Sequence, residues 1–392
     1  MTADLPDFAL EVYLGQHEFT AQHHLTASDA ESLTLNELLA HGNDDDRRAF
    51  GELSLGYTPT WGGDDLRTAI ASTYDALDDS NVLVCSGAQE AMFWAMQMLV
   101  GRGDHAIVSV PNYQSMESVT IATGADVSGL PLWSGTGSSL RWTLDLDLVR
   151  RLIQPTTKLI AVNFPNNPTG FVPDRATWLE LVELCDERGI WLYSDEVYRG
   201  LELDESRRLP QAADLSPRAI SLNVMSKAYG LPGLRIGWVA CRDRALLSRL
   251  ERAKHYTTIC SAGPSEFLAT IVLRNADAVA GRNRRIMREN LPLFEALVNR
   301  CEGIIEWTPP DGGCVTFPRY LGPDGVEAFA ESLVRERSAV VLPASIYASQ
   351  LLTVPPDRFR IGMGRANPQA GWAELEAHLV ASRNNFELNV SG

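Results

Sequence analysis

No run of apolar residues in this chain approaches the roughly 20 that a membrane-spanning helix needs; the nearest, at 91–100, is too short. Its six cysteines, at 85, 185, 241, 260, 301 and 314, form no CxxC pair and show no metal-ligand spacing. No metal is therefore expected. Cys85 and Cys241 stand inside apolar runs, where a thiol behaves as a small hydrophobe, and a reduced, cytoplasmic setting is the simplest expectation. The N-terminal MTADLPDFALEVY carries acids where a secretory leader would carry a basic flank. Positive charge is scarce: 34 Lys and Arg face 50 Asp and Glu, a net charge of −16. Nucleic acid and anionic membrane are thus poor partners on electrostatic grounds. Neither terminus offers the basic helix-turn-helix that a cofactor-binding regulator would need. The dinucleotide fingerprint GxGxxG is missing from the strand-to-helix turns, which disfavours a nicotinamide enzyme. Internal repeats and low-complexity tracts are absent too.

What is present reads as an ordinary globular chain. Its 392 residues, 45% hydrophobic and 21% charged, suffice for a large domain with a smaller one attached. The first 50 residues are polar and helix-leaning, with histidines at 17, 23 and 24, and NDDDRR at 43–48 reads as a solvated loop. From Tyr57 onward short β-rich runs alternate with helical ones: VLVC at 82–85, HAIVSV at 105–110, DVSGLPL at 126–132, KLIAVNF at 158–164, IWLYS at 190–194, AISLNVM at 219–225 and RIGWVAC at 235–241. Near-continuous apolar strands separated by helices predict an α/β fold whose mainly parallel sheet is covered on both faces. A long amphipathic helix is expected over 282–301. Beyond it GIIEWT, GCVTFP, AVVLP and RFRIGM read as strands of a smaller α+β domain. The expected division is 50–285 for the large domain, with 1–49 and 286–392 forming the small one.

Ligands of such sheets gather beyond the carboxyl ends of the strands, and that is where the chemistry-bearing residues fall. SKAYGLPGLRIGW at 226–238 places Lys227 just after an apolar strand and Arg235 eight residues on. A lysine leaving a buried strand is costly to desolvate unless it is paired or neutralised, and an imine is the function that fits it. After VLVC, Ser86 and Gly87 turn and a helix opens at Ala88 and Gln89, a natural phosphate site. VPNYQSM puts Tyr113 where its ring can stack on a planar group. In NFPNNPTG, Asn167 precedes Pro168, so the turn aims its amide, and the bond between them is open to the cis form. YSDEVYRG places Asp195 at a strand end with Tyr198 three residues later; a buried carboxylate there calls for a cation such as a protonated ring nitrogen. A phosphate turn, a stacking aromatic, an aimed amide, an acid, a lysine and an arginine on one sheet edge describe a site for pyridoxal 5'-phosphate.

From about 57 to 365 the chain resembles the class I/II aminotransferases, fold-type I enzymes dependent on pyridoxal phosphate, through SKAYGLPGLRIGW, NNPTG and SDEVY. The resemblance implies that Lys227 carries the cofactor as an aldimine and moves protons at the substrate Cα. It implies that Asp195 pairs with the pyridinium nitrogen, that Asn167 and Tyr198 hydrogen-bond the ring oxygen, and that Tyr113 stacks on the ring. Gly87, Ala88, Gln89, Ser226 and Arg235 would hold the phosphate. Tyr57 resembles the tyrosine that reaches the neighbouring subunit's phosphate, which implies a homodimer with shared active sites. Arg360 in RFRIGMGR resembles the arginine that grips the substrate carboxylate, with Asn167 beside it. One departure stands out: Val224 occupies the position, three before the lysine, where the family usually has a phosphate-contacting hydroxyl, leaving Asn223 or Ser226 to compensate. The expected reaction is transamination between an amino acid and a 2-oxo acid. A further likeness, through NFP-NP and SKAYGLPGLR, is to the capreomycidine synthases, which cyclise a hydroxylated arginine after elimination. The acidic, histidine-bearing segment from Glu18 to Glu31, including Asp29, is expected to line the substrate pocket and to suit a basic side chain.

Overall fold

The computed structural model describes residues 5–18 and 20–390. A seven-stranded sheet is formed by β1 (Val82–Cys85), β2 (His105–Val110), β3 (Asp126–Pro131), β4 (Thr157–Asn163), β5 (Trp191–Asp195), β6 (Ala219–Val224) and β7 (Gly237–Cys241). Their spatial order is β1-β7-β6-β5-β4-β2-β3. Every pairing is parallel except those of β7, which runs antiparallel to both β1 and β6. The alternating βα pattern therefore gives the mainly parallel sheet expected of it.

The central strands are buried along nearly their whole length because both faces are covered, while the edge strand β3, DVSGLP, is largely only half-buried. Leu83, Val108, Ala161, Tyr193 and Leu222 face a core shared with Met92 and Met96 of an overlying helix. On the other face, Ile107, Ile160 and Leu192 meet Trp178 and Leu181, while Val84, Trp238 and Ala240 meet Ile70 and Leu268.

The helices that matter for the site are α1 (Ala9–His17), α2 (Asp44–Gly51), α3 (Ala88–Leu99) and α4 (Ala276–Arg300). Helix α2 corrects the loop expected at 43–48. Asn43 accepts from the Asp46 amide at 2.9 Å, and the Asp46 carboxylate accepts from the Asn43 amide at 3.0 Å. This capping box, with three acids at the positive end of the helix, turns a charge run into a helix start. Helix α4 begins six residues before its predicted start at 282. Along its length Val279, Met287 and Phe294 enter three successive cores.

The last core gathers Leu25 with residues from Phe294 to Leu379. It is built on a three-stranded antiparallel sheet of Val315–Thr316, Phe359–Gly362 and Leu342–Pro343. The strand His23–His24 pairs in parallel with Ala339–Val340, so the N-terminal segment crosses to this region. That crossing carries residues 24–29 along the carboxyl edge of the large sheet.

Candidate active site

A cleft of about 780 Å³ opens at that edge. Every strand but the edge strand β3 has lining residues at or next to its end, and the topology explains how Arg235 joins them. The turn between β6 and β7 carries Ser226, Lys227 and Arg235, and because β7 runs backwards, the residues before it lie at the carboxyl end of its neighbours.

The anion-binding end is formed first. Gly87, at φ 83°, leads into α3 without any side-chain cap, leaving first-turn N–H groups free. A Cβ at Gly87 would stand 2.5 Å from the Arg235 guanidinium, and one at Gly237 would stand 2.6 Å from the Gly87 backbone. Both glycines allow the close approach that brings Arg235 over the helix start. Ser226 lines the cleft, and its buried Oγ has no hydrogen-bond partner among the described residues. Of the two residues expected to compensate for Val224, Asn223 turns away: its Oδ1 accepts from the Val224 amide at 2.8 Å, and it lines a different cavity. Ser226 is left as the hydroxyl on this side.

Asp195 ends β5 with its Oδ1 accepting from the Val197 amide at 3.2 Å. Burial pushes its carboxyl up to about 7, against the Val197 amide and Lys227, which hold it down. Asn163 organises the neighbouring turn, donating to the Asp195 carbonyl at 3.0 Å and accepting from the Asn167 amide at 2.7 Å. The Asn167–Pro168 bond is cis. The Asn167 Oδ1 accepts from Arg360 Nη1 at 3.1 Å.

Lys227 is mostly buried, at the floor of the open cleft, and its Nζ donates to Ser28 Oγ at 2.7 Å. Burial lowers its pKa, with Arg360 adding to the effect, while Asp29 and Asp195 oppose it. Tyr198 donates to the Ser28 carbonyl at 2.8 Å. Tyr113 and Gln89 line the same cleft, the Tyr113 ring lying 5.2 Å from that of Phe8. Arg360 is 1% exposed; its Nη2 donates to the Thr26 carbonyl at 2.6 Å and its Nε has no partner among the described residues.

Tyr57 is the expected residue that the structure does not bring here. It is 91% exposed and borders a separate surface hollow beside Thr58 and Gly263. From the N-terminal segment, Glu18, His24 and Asp29 reach the cleft. Asp29 is bound by Arg365, both oxygens at 3.0 Å, and Glu31 instead accepts from the Ala366 amide at 2.8 Å. Sequence reasoning missed Ser28, Thr26, Tyr347 and Glu11. Ser28 and Thr26 meet the site only through the crossing segment, and Tyr347, whose ring lies 5.9 Å from the Arg360 guanidinium, comes from a short 3₁₀ turn. Glu11 had a legible signal, since Leu10, Glu11, Leu14 and Glu18 share one face of a helical repeat, and all four line the cleft. Glu11 and Glu18 make no salt bridge among the described residues.

A buried amine with depressed basicity, an acid and an anion cradle in one cleft suit covalent amine chemistry on a phosphorylated carbonyl compound. The comparisons agree. Residues 23–371 match the family described as aminotransferase class I and II. The chain is 30% identical over 393 residues to capreomycidine synthase from Streptomyces vinaceus, covering 99% of this chain and 96% of that protein. It is 32% identical over 285 residues to arginine–pyruvate transaminase from Pseudomonas aeruginosa, covering 69% of this chain and 68% of that one. The solved structure of a PLP-dependent aminotransferase from Streptococcus suis superposes with a TM-score of 0.88 at 29% identity, covering 96% of this chain and 98% of the other.

The residues present fit pyridoxal phosphate. The unpartnered Ser226 Oγ, the uncapped start of α3 and Arg235 leave an anion cradle at one end. The buried Asp195 provides a carboxylate that a ring N–H would stabilise at the other.

Proposed function

From the premise that this chain belongs to the class I and II aminotransferases and is a pyridoxal-phosphate-dependent enzyme, we propose that it transaminates an α-amino acid with a basic side chain against a 2-oxo acid. Pyridoxal phosphate, when bound, supplies a carbonyl carbon and an electron-accepting ring for cleavage of a bond at Cα. In this reading Lys227 anchors the cofactor and then takes and returns the proton at the substrate Cα, a task that needs the neutral amine its burial favours. Asp195 holds a proton on the ring nitrogen, Asn167 and Tyr198 orient the ring oxygen, and Tyr113 covers the ring. Ala88, Gln89, Ser226 and Arg235 hold the phosphate. Arg360 binds the substrate carboxylate through its fork, fixing which Cα bond stands ready to break.

The observation that carries the reading is Arg360, fully buried with its Nε free, in the cleft that also holds Lys227. Basic side chains are favoured by the two carboxylates of the α1 face, Glu11 and Glu18. The expected setting is cytoplasmic, the expected assembly is a homodimer in which Tyr57 of each subunit serves the other, and the domain division is 50–285 against the two flanking segments.

The test is a panel of amino acids, with and without pyruvate, scored for oxo acid, ammonia and cyclised product. Arginine-type donors should give at most one equivalent of oxo acid per site without pyruvate, and repeated turnover only when pyruvate is present. The double variant Glu11→Gln, Glu18→Gln should raise the KM for arginine about 3- to 30-fold, the equivalent of one or two exposed ion pairs, with little change for neutral amino acids.

A second reading is favoured by the end-to-end match to capreomycidine synthase: elimination followed by cyclisation of a hydroxylated arginine-type substrate. Ammonia-free ring formation, or repeated turnover without a 2-oxo acid, would replace transamination with this reading.

A further inference from the structure

A second cavity, of about 450 Å³, lies behind the strand ends that form the cleft. Its walls are sequence neighbours of the cleft residues. Arg199 follows Tyr198, Asn223 precedes Val224, and Tyr229 stands two places beyond Lys227.

Unpaired donors distinguish this cavity. Arg199 Nε, Arg208 Nη2, Gln211 Nε2 and Arg284 Nε are all shielded from solvent without a hydrogen-bond partner among the described residues. All four residues line this one cavity. Gln211 is 2% exposed and Arg284 7% exposed, so these donors stand in the inner wall of the cavity, while Ser72, Arg274, Asp277 and Ala278 are exposed at its mouth. A buried donor left without an acceptor costs about 1–3 kcal/mol. Four in one place, all N–H and none an acceptor, call for an occupant rich in lone pairs.

The charges select among such occupants. Arg208 is held by Glu202 at 3.1 Å and lies 3.6 Å from Glu205, while Arg284 meets Glu205 at 3.2 Å. Arg274 is paired with Asp46 at 3.1 Å. Asp277 is the single carboxylate of the lining. Glu196 shares a smaller neighbouring cavity with Arg199; its Oε1 accepts from the Ala212 amide and from Ser221, and its Oε2 is a buried acceptor without a partner among the described residues, but Glu196 does not join the lining of the 450 Å³ cavity. Arg199 alone has no carboxylate within salt-bridge distance among the described residues, and it makes no side-chain hydrogen bond there. An unpaired guanidinium beside the Gln211 amide and the Tyr229 hydroxyl presents the fork that oxyanions fit.

We propose that this rear cavity binds a small oxyanion, a phosphate or carboxylate, with Arg199 as the charge that selects it and Gln211 and Arg284 as supplementary donors. The occupant sits against the reverse sides of the segments that present Tyr198 and Lys227 to the cleft. The inference stands apart from the transaminase reading, because it requires no substrate to turn over.

The test uses the holoenzyme, in which the cofactor already engages the phosphate contacts of the cleft. Calorimetric titration with inorganic phosphate and, separately, with succinate, at constant ionic strength against chloride, should show saturable uptake of at least one of them; which one identifies the oxyanion. Arg199→Met should weaken that uptake about tenfold or more, the equivalent of one charged hydrogen bond, and Arg199→Lys should retain part of it. Cofactor absorbance and the KM for amino acid should stay unchanged in both variants. No uptake of either anion by the wild type, or equal uptake by wild type and Arg199→Met, overturns the proposal. If Arg199→Met does not fold, wild-type holoenzyme crystals soaked in selenate decide the matter: an anomalous peak between Arg199 and Gln211 supports the site, and no peak there overturns it.

Discussion

The chain contains only three lysines, at 158, 227 and 254, and their settings separate them. Lys158 is exposed on β4. Lys254 is as buried as any core residue, at 1% exposure, yet its Nζ is engaged by the carbonyls of Thr60 at 2.6 Å and Val84 at 2.7 Å. Lys227 has only the Ser28 hydroxyl and a lowered pKa. It is the one lysine of the three that stands in the cleft. Lys227→Ala should lose borohydride-trappable cofactor and drop turnover by at least the roughly 10²–10⁴-fold of a lost proton-transfer group; retained trapping would move the attachment elsewhere. Asp195 makes a pH prediction. Its folded pKa is raised from 3.8 to about 7, so the stability linked to its proton is fully present below about pH 4 and is lost as pH rises through 7. Apoenzyme melting curves should therefore fall between those values in the wild type and stay flatter in Asp195→Asn. Bound cofactor, by placing a cation against the carboxylate, should remove most of the difference.

Among the elements, the β1–α3 turn and the β6–β7 turn are the pair on which the site depends. They meet at Gly87 and Gly237, where each lacks a side chain so that the other can approach. Gly87→Ala would have to hold a positive φ, at about 1–2 kcal/mol, and to displace the Arg235 guanidinium. Cofactor affinity, measured by absorbance titration, should fall at least about tenfold, with the far-ultraviolet circular dichroism unchanged. This pair was half legible. SGAQ after an apolar run signals a helix start with free N–H groups, but the contact of Gly87 with Arg235 depends on β7 lying between β1 and β6, which spacing along the chain does not reveal. Helix α2 failed for a local reason: NDDDRR was weighed as charge, when the Asn43–Asp46 reciprocity makes it a cap.

At the scale of the whole molecule, the cleft is assembled from residues far apart in sequence, Ser28, Asn167, Lys227 and Arg360, with Tyr347 backing Asn167 and Arg360. Tyr57 lies outside it, exposed on the surface. If Tyr57 serves the site of the partner subunit, then Lys227→Ala and Tyr57→Ala homodimers, each impaired alone, should recover activity when unfolded together and refolded as a mixture. One site of the mixed dimer would then carry both an intact lysine and an intact tyrosine. Recovery no greater than the sum of the separate proteins would assign Tyr57 to another task.

The sequence by itself determined the sheet, because strands buried on both faces are mostly apolar runs and are visible as such between helical segments. It also determined that Lys227, Asp195 and Asn167 stand at this edge, since each lies at or a few residues beyond the carboxyl end of its strand, where ligands of such sheets gather. Tertiary structure alone decided the rest. The crossing of residues 24–29 brings Ser28 to Lys227 and Thr26 to Arg360. The choice of Ser226 over Asn223 follows from which side of β6 each residue faces. The donor-lined cavity behind Tyr198 gathers Arg199, Gln211 and Arg284 from three separate segments. These are contacts between distant parts of the chain, set by strand order and packing, and no local pattern encodes them.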